Sequence, residues 1–201
     1  MVTSVERTVA ALTGKCHDRP PYTLTLSLYG ARLIDCHPAI YYREPDSYIG
    51  GQRAVMELCS PDVLFTPFSL PLEAEMFGSE LIFFRNAPPT VHKYCASSIE
   101  EFLRKKLPDT KSHPNWLYFE KVVSSLASEY KNAVPICAIL AAPVDLPAIL
   151  LGLERWMDAL ICDSRAVKDI LETTCRHFTG FANDLLSHGA SFIAVDRKSV
   201  V

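Results

Sequence analysis

The stretch VPICAIL, residues 134–140, is apolar at every position, so it has no face to give to water. A strand of this kind belongs in a parallel sheet whose crossover helices cover both faces. The residues that follow fit that demand. Asp145 is placed to cap a helix whose apolar positions, Leu146, Ile149, Leu150, Leu153, Met157 and Leu160, lie three and four apart. Ser164 opens a second helix, with Val167, Ile170, Leu171, Thr174, Phe178, Phe181 and Leu185 in register and Gly189 as its stop. SFIAV, 191–195, then reads as a last apolar strand.

Upstream the same alternation holds. Met1 to Thr13 has helical apolar spacing, and DRPP breaks it. YTLTLSL, 22–28, alternates with period two and predicts a strand. Gly30 and Ala31 open a short helix, and Asp46 or Ser47 caps one that runs to Cys59. PDVLFTPF is the next strand; Pro67 has no N–H, so its ladder ends near Phe65 or Thr66. Leu70 to Phe77 is a short helix, ELIFF at 80–84 a third short strand, and RNAPPTV a loop. Ser97 and Glu100 have capping-box spacing for a helix to Leu107, and Trp116 to Tyr130 is helical.

Strands alternating with helices argue a parallel α/β sheet, either doubly wound or closed as a (β/α) barrel. No GxGxxG or GxxxxGK[ST] follows any strand, so nucleotide binding has no motif here. With 201 residues and no linker or repeat, one domain is expected. The net charge of -3 leaves no footprint for nucleic acid. No apolar run is long enough to span a membrane, and no signal peptide opens the chain, so a cytoplasmic protein is expected. The seven cysteines are scattered without CxxC pairs and read as reduced thiols.

Four stretches occur in series: RPPYTLTLSLYGARL, PDVLFTPFSLPLEAEMFG, VPICAILAAPVDLPAILLGLERWMDAL and HGASFIAV. Together they resemble consecutive landmarks of the uroporphyrinogen decarboxylase superfamily, above all its methylcobalamin:coenzyme M methyltransferase-like branch. The resemblance implies a (β/α)8 TIM barrel with its pocket at the carboxyl ends of the strands. Over this chain it implies an incomplete barrel of about four parallel strands with surrounding helices, the amino-terminal half of the fold. The likeness fades after SFIAV into DRKSVV, which suggests a frame truncated near 196–201, with a natural short form as the alternative.

The resemblance also implies which chemistry is lost. Where decarboxylases grip substrate carboxylates with two arginines, this chain has Leu28 and Arg32; where they carry an essential aspartate it has Ser69; where they carry a tyrosine it has Ile149. Leucine binds no carboxylate, and an uncharged serine cannot stabilise a cationic pyrrole. Decarboxylation is therefore the least favoured of three readings. A corrinoid-linked methyltransferase-like protein comes first. A non-catalytic half-barrel that self-associates or pairs with a second chain comes second. In the methyltransferase branch the resemblance implies zinc, held by a His-x-Cys pair and a distant Cys, and a corrinoid methyl donor, either a small molecule or a corrinoid protein. Neither ligand motif occurs in this chain, so no metal and no cofactor is expected within it.

The candidate ligand-binding residues are Tyr29 and Arg32 after the first strand, Ser69 and Glu73 after the second, and Asp145 after VPICAIL. Each has a plainer reading: Arg32 as a surface ion pair, Glu73 as a helix-terminal charge, Asp145 as a helix cap. Cys16-His17, Cys36-His37 and the His92/Cys95 spacing read as ordinary loop residues rather than ligands. His177 and His188 read as surface or satisfied histidines. A half-barrel leaves strand edges open, so a homo-oligomer is expected, with no nucleic-acid or membrane partner.

Overall fold

The computed structural model describes residues 2–25, 27–105, 109–130 and 132–196. In chain order the elements are α1 (Ser4–Leu12), α2 (Tyr29–Leu33), α3 (Pro38–Tyr41), α4 (Pro45–Cys59), β1 (Leu64–Phe65), α5 (Pro71–Met76), β2 (Glu80–Ile82) and β3 (Thr90–Lys93). There follow α6 (Ile99–Arg104), a 3-10 turn (Thr110–Ser112), α7 (Pro114–Tyr130), β4 (Ile136–Ala141), α8 (Leu146–Leu151), α9 (Leu153–Cys162), α10 (Ser164–Ser187) and β5 (Phe192–Asp196). The expected start of the first helix at Met1, Leu26 of the expected first strand, the expected helix end at Leu107 and the tail after Asp196 lie outside the described residues.

The fold is α/β, built on a three-stranded parallel sheet in the order β1-β4-β5. Leu64 and Phe65 pair in parallel with Ile136 and Cys137. Ser191 N–H donates to the Ile136 carbonyl and Ala142 N–H to the Asp196 carbonyl, so the contacts advance in the same direction along β4 and β5. All six residues of β4 are buried, as its unbroken apolar run requires. Val63, Cys137 and Ile139 form a core against which Phe65, Phe68, Phe192 and Ala194 pack. Burial lifts the Cys137 thiol to about 12, so it is an inert core residue.

Two expected strands turn out otherwise. Residues 22–25 are extended but form no ladder. Tyr22 N–H donates to the Asp62 carboxylate at 2.6 Å, and Asp62 N–H to the Tyr22 carbonyl at 2.6 Å. A side chain has taken the place of the next ladder bond, and Leu24 is 42% exposed rather than packed. The expected strand at 80–84 exists as β2, but it pairs antiparallel with β3, in the stretch read as a loop, and forms a separate hairpin. The described residues thus hold three parallel strands.

Helix ends follow local chemistry, with shifts of one residue or so. Thr3 and Glu6 make a full capping box on α1. Pro45 takes the first position of α4, so Glu44 is the cap and Asp46 lies in the first turn. Ser98, not Ser97, caps α6 by accepting from Glu101 N–H. Asp163, not Ser164, accepts from Ala166 N–H at the start of α10. The helix expected after Asp145 is two: Gly152 at φ +94 ends α8 and opens α9. A Cβ there would stand 3.1 Å from the Tyr94 ring, so the glycine does permit a close approach.

The chain divides into two compact units. One comprises Met1–Phe68, Tyr118–Ile139 and Asp184–Ala194; the other Ser69–Leu117, Leu140–Asn183 and the residues from Val195. In the first, Asp62 is 1% exposed and accepts from Arg7, Arg19, Ser4 and the Tyr22 N–H. Burial alone would raise its pKa, but the donors Arg19, Tyr22, Ser4 and Arg7 outweigh it and hold the carboxyl far below the usual range. Asp18 braces Arg7 from the other side and is itself lowered to about 2, chiefly by that hydrogen bond. Nearby, Tyr41, Tyr42, Tyr48 and Tyr118 are buried together. Tyr48 donates to Ser27 and to the Phe65 carbonyl, and Tyr118 to the Tyr41 carbonyl. Burial pushes the Tyr42 phenol up to about 12.

Candidate functional site

The second unit holds the most concentrated buried chemistry. PLEAEM forms α5 because Pro71 presets the first turn, and the helix stops where Gly78 takes φ +94. Its phase turns Leu72, Glu73, Ala74 and Met76 inward. Glu73 is 2% exposed. A carboxylate so placed needs partners; one of its oxygens has a hydrogen bond and the other, among the described residues, only a close contact. Oε1 accepts from the N–H of Ala141, the last residue of β4, at 2.8 Å. Oε2 lies 3.4 Å from His177 Nε2.

His177, on α10, is 6% exposed. Its Nδ1 stands 3.4 Å from Thr110 Oγ1. Phe77 lies edge-on to it at 4.9 Å, Trp116 edge-on at 5.8 Å, and Phe181 at 5.6 Å. These rings wall the contact off from water. On the same side Asn115, 1% exposed, donates to the Leu72 carbonyl and to Glu75 Oε2. Glu75 is therefore half-buried and bonded rather than turned to solvent.

Ser69 lies four residues past the end of β1 and is 4% exposed, its Oγ buried with no hydrogen-bond partner among the described residues. Its carbonyl accepts from Leu72 N–H at the start of α5. Asp145 sits at the N-cap of α8, but its backbone is helical and its side chain makes no capping bond. Its N–H instead donates to the Ala142 carbonyl, just past the end of β4. Ser69, Glu73 and Asp145 thus belong to one unit, and Glu73 and Asp145 are both tied to the end of β4. Tyr29 and Arg32 lie on α2 of the other unit. Both are exposed, with the Arg32 guanidinium 6.0 Å from the Tyr29 ring centre. Arg32 makes no ion pair among the described residues.

His177 is the residue that sequence reasoning missed. It was read beside the apolar stripe, with Phe178 in it. The buried seam of α10 runs Ile170, Thr174, His177, Phe181 and Leu185, each no more than 6% exposed, while Phe178 is half-buried. The spacing four, three, four, four carried that signal. Asp62 was also passed over; the acid opening DVLF, with two arginines upstream, was its only sequence trace.

No thiolate metal site arises from these residues. His17 Nδ1 bonds the Lys15 carbonyl, and His37 Nδ1 accepts from Ala39 N–H as the cap of α3. Cys95 is buried, its Sγ against the Leu150 carbonyl, and burial lifts it to about 11. Among the described residues the metal-type side chains that converge within 4.8 Å are Glu120, Asp184 and His188, with no cysteine. The zinc that the resemblance implies therefore does not fit the residues here. Among the described residues no helix is long and apolar enough to cross a membrane.

The family model for uroporphyrinogen decarboxylase (URO-D) matches residues 3–200. The chain belongs to this family. Among solved structures, a methyltransferase from Methanosarcina mazei superposes with a TM-score of 0.84 at 17% sequence identity. The match covers 97% of this chain and 59% of that one, so the chain spans under two thirds of its neighbour's length. At this identity the likeness carries the fold alone. No curated protein matches the chain.

Proposed function

We propose that this member of the URO-D family is a corrinoid-linked methyltransferase-like protein whose three parallel strands and flanking helices form part of a (β/α)8 barrel. Ser69 carries the reading. At the place that family resemblance gives to the decarboxylase aspartate stands a buried hydroxyl with no charge. Glu73 is not free to take that aspartate's part with both oxygens: its Oε1 is bound by Ala141 N–H, while its Oε2 stands 3.4 Å from His177 Nε2 with no hydrogen bond among the described residues. Leu28 and Ile149 remove two more of the groups that a porphyrinogen needs. The likeness to a methyltransferase supports the barrel fold of this reading.

The role assigned to this chain's own residues is to shape and dry a pocket mouth. The Glu73–His177 pair clamps α5 and α10 to the end of β4, and Ser69 offers a hydroxyl beside it. Within the second unit Asp145 is proposed as a polar ligand contact at the end of β4; Tyr29 and Arg32 are proposed, on the first unit taken by itself, as contacts for an anionic group. No step through zinc is derived, since the residues present do not make its site.

A second reading is favoured by the sheet itself. In the order β1-β4-β5 the outer strands each have one unpaired edge among the described residues. A non-catalytic form that pairs with a second copy or a second chain would cover them. Equilibrium dialysis against methylcobalamin separates the two readings: saturable binding supports the first, and no binding by a self-associated chain supports the second.

A further inference from the structure

The β2–β3 hairpin walls a cavity of about 460 Å³ that the reading above does not use. Its volume falls in the range of small-ligand pockets. Three cations line it: Lys93, Lys105 and Arg155. Lys93 is neutralised by Glu80 at 2.8 Å. The other two are not matched in this way. Lys105 Nζ donates to the Cys95 carbonyl at 2.8 Å, and Arg155 Nη1 to the Leu151 carbonyl at 2.7 Å. Both bonds go to neutral oxygens, and neither cation makes an ion pair among the described residues. The acid in the lining, Glu101, is near enough to feel the charge of Lys105, but its hydrogen bonds go elsewhere. Its Oε2 accepts from Ser97 N–H at 2.7 Å and from Ser97 Oγ. An ammonium has three donors and a guanidinium five, so both cations keep donors to spare.

The walls are set before any ligand arrives. Cys95 N–H and Sγ both bond the Leu150 carbonyl, which fastens the end of β3 to α8. Tyr94 packs close against Gly152, at a φ of +94 that other residues rarely adopt. The Arg155 guanidinium stands 5.8 Å from the Tyr94 ring centre. The result is an aromatic plate with one held guanidinium, one ammonium and the Ser97 end of α6 around a single space.

We propose that this cavity binds a small molecule bearing an oxyanion group, a phosphate monoester or a carboxylate, with Lys105 and Arg155 on the oxygens and Tyr94 beneath the ligand's body. Surplus donors on two unmatched cations are suited to charge-assisted hydrogen bonds. The inference rests on the hairpin alone and stands whether or not the chain handles a corrinoid.

The test titrates the 201-residue chain with inorganic phosphate, phenyl phosphate and acetate, following backbone amide resonances by NMR. Saturable shifts centred on residues 92–97 are expected, with phenyl phosphate binding more tightly than inorganic phosphate because of the Tyr94 plate. If phosphate outbinds acetate, the ligand is a phosphate ester; the reverse order makes it a carboxylate. Lys105→Gln and Arg155→Gln, made singly on exposed positions, should each weaken binding by about tenfold, the worth of one charge-assisted hydrogen bond. Lys168→Gln, which removes an exposed cation on α10, should change nothing. Shifts absent or unsaturated at roughly 10 mM of all three probes, or undiminished in both the Lys105 and Arg155 variants, would overturn the proposal.

Discussion

Gly50 and Gly51 are neighbours in α4, yet substituting alanine at each should move stability in opposite directions. Alanine favours a helix interior over glycine by about 1 kcal/mol. At Gly50 nothing opposes that gain, because the nearest atom to a new Cβ is Ile34 Cδ1 at 3.9 Å. At Gly51 the helix crosses α2 backbone to backbone. A Cβ there would stand 2.9 Å from the Gly30 carbonyl carbon, 2.6 Å from Tyr41 Cε2 and as close to the Tyr41 hydroxyl. None of these can move freely: Tyr41 is fully buried, its hydroxyl accepts from Gln52 and its carbonyl from Tyr118. Overpacking of this kind costs about 1–3 kcal/mol or more. Gly51→Ala should therefore be net destabilising by up to about 2 kcal/mol, the overpacking cost less the helix gain. Gly50→Ala should stabilise by up to about 1 kcal/mol. Urea unfolding followed by circular dichroism reads both. If Gly51→Ala is as stable as the parent, α2 and α4 do not cross where the structure puts them.

Other expectations follow from the same contacts. Asp62→Asn should be destabilising at neutral pH, but by less than the ~3–5 kcal/mol of an uncompensated buried charge, because Arg7 keeps its pair with Asp18. The folded pKa of Asp62 is depressed, so its contribution is present above the unfolded value near 4 and fades as pH falls below it; the variant's acid-unfolding curve should be flatter there. His177→Phe leaves Glu73 Oε2 buried and unpaired, and Glu73→Gln in the same chain should recover part of the loss, with a coupling of about 0.5–3 kcal/mol in a double-mutant cycle; strict additivity would mean the two do not interact. Size-exclusion chromatography should show self-association through the open edges of β1 and β5, and a stable monomer would count against it. Ser69→Asp alone should not yield decarboxylation, because Leu28 and Ile149 still leave the substrate unsupported.

The elements legible in the sequence were those whose pattern admits one environment. VPICAIL became β4, buried throughout, because an unbroken apolar run has to be covered; SFIAV became the strand β5, but only half-buried, with Val195 46% exposed. Pro67 foretold the end of β1 near Phe65. YTLTLSL failed because alternation shows only that one face is apolar, while the ladder was pre-empted by the carboxylate of Asp62, far along the chain. ELIFF was recognisable as a strand, but period two says nothing of its partner, and β3 carries only TVHK. Glu73 was singled out from its place after β1. Its partner on α10 was not, because contacts between distant segments leave no local pattern, and a histidine on a helix is more often exposed. Tyr29 and Arg32 matched by position in the resemblance, which says nothing of burial; both are exposed on α2.

The central claim is that this family member has left decarboxylation for corrinoid-linked methyl chemistry. One paired measurement tests it most directly: the purified chain is given uroporphyrinogen without oxygen, and in parallel is dialysed to equilibrium against methylcobalamin. The account predicts no release of carbon dioxide from the first and saturable binding in the second. Carbon dioxide released in proportion to added chain, with no retention of methylcobalamin, would contradict it.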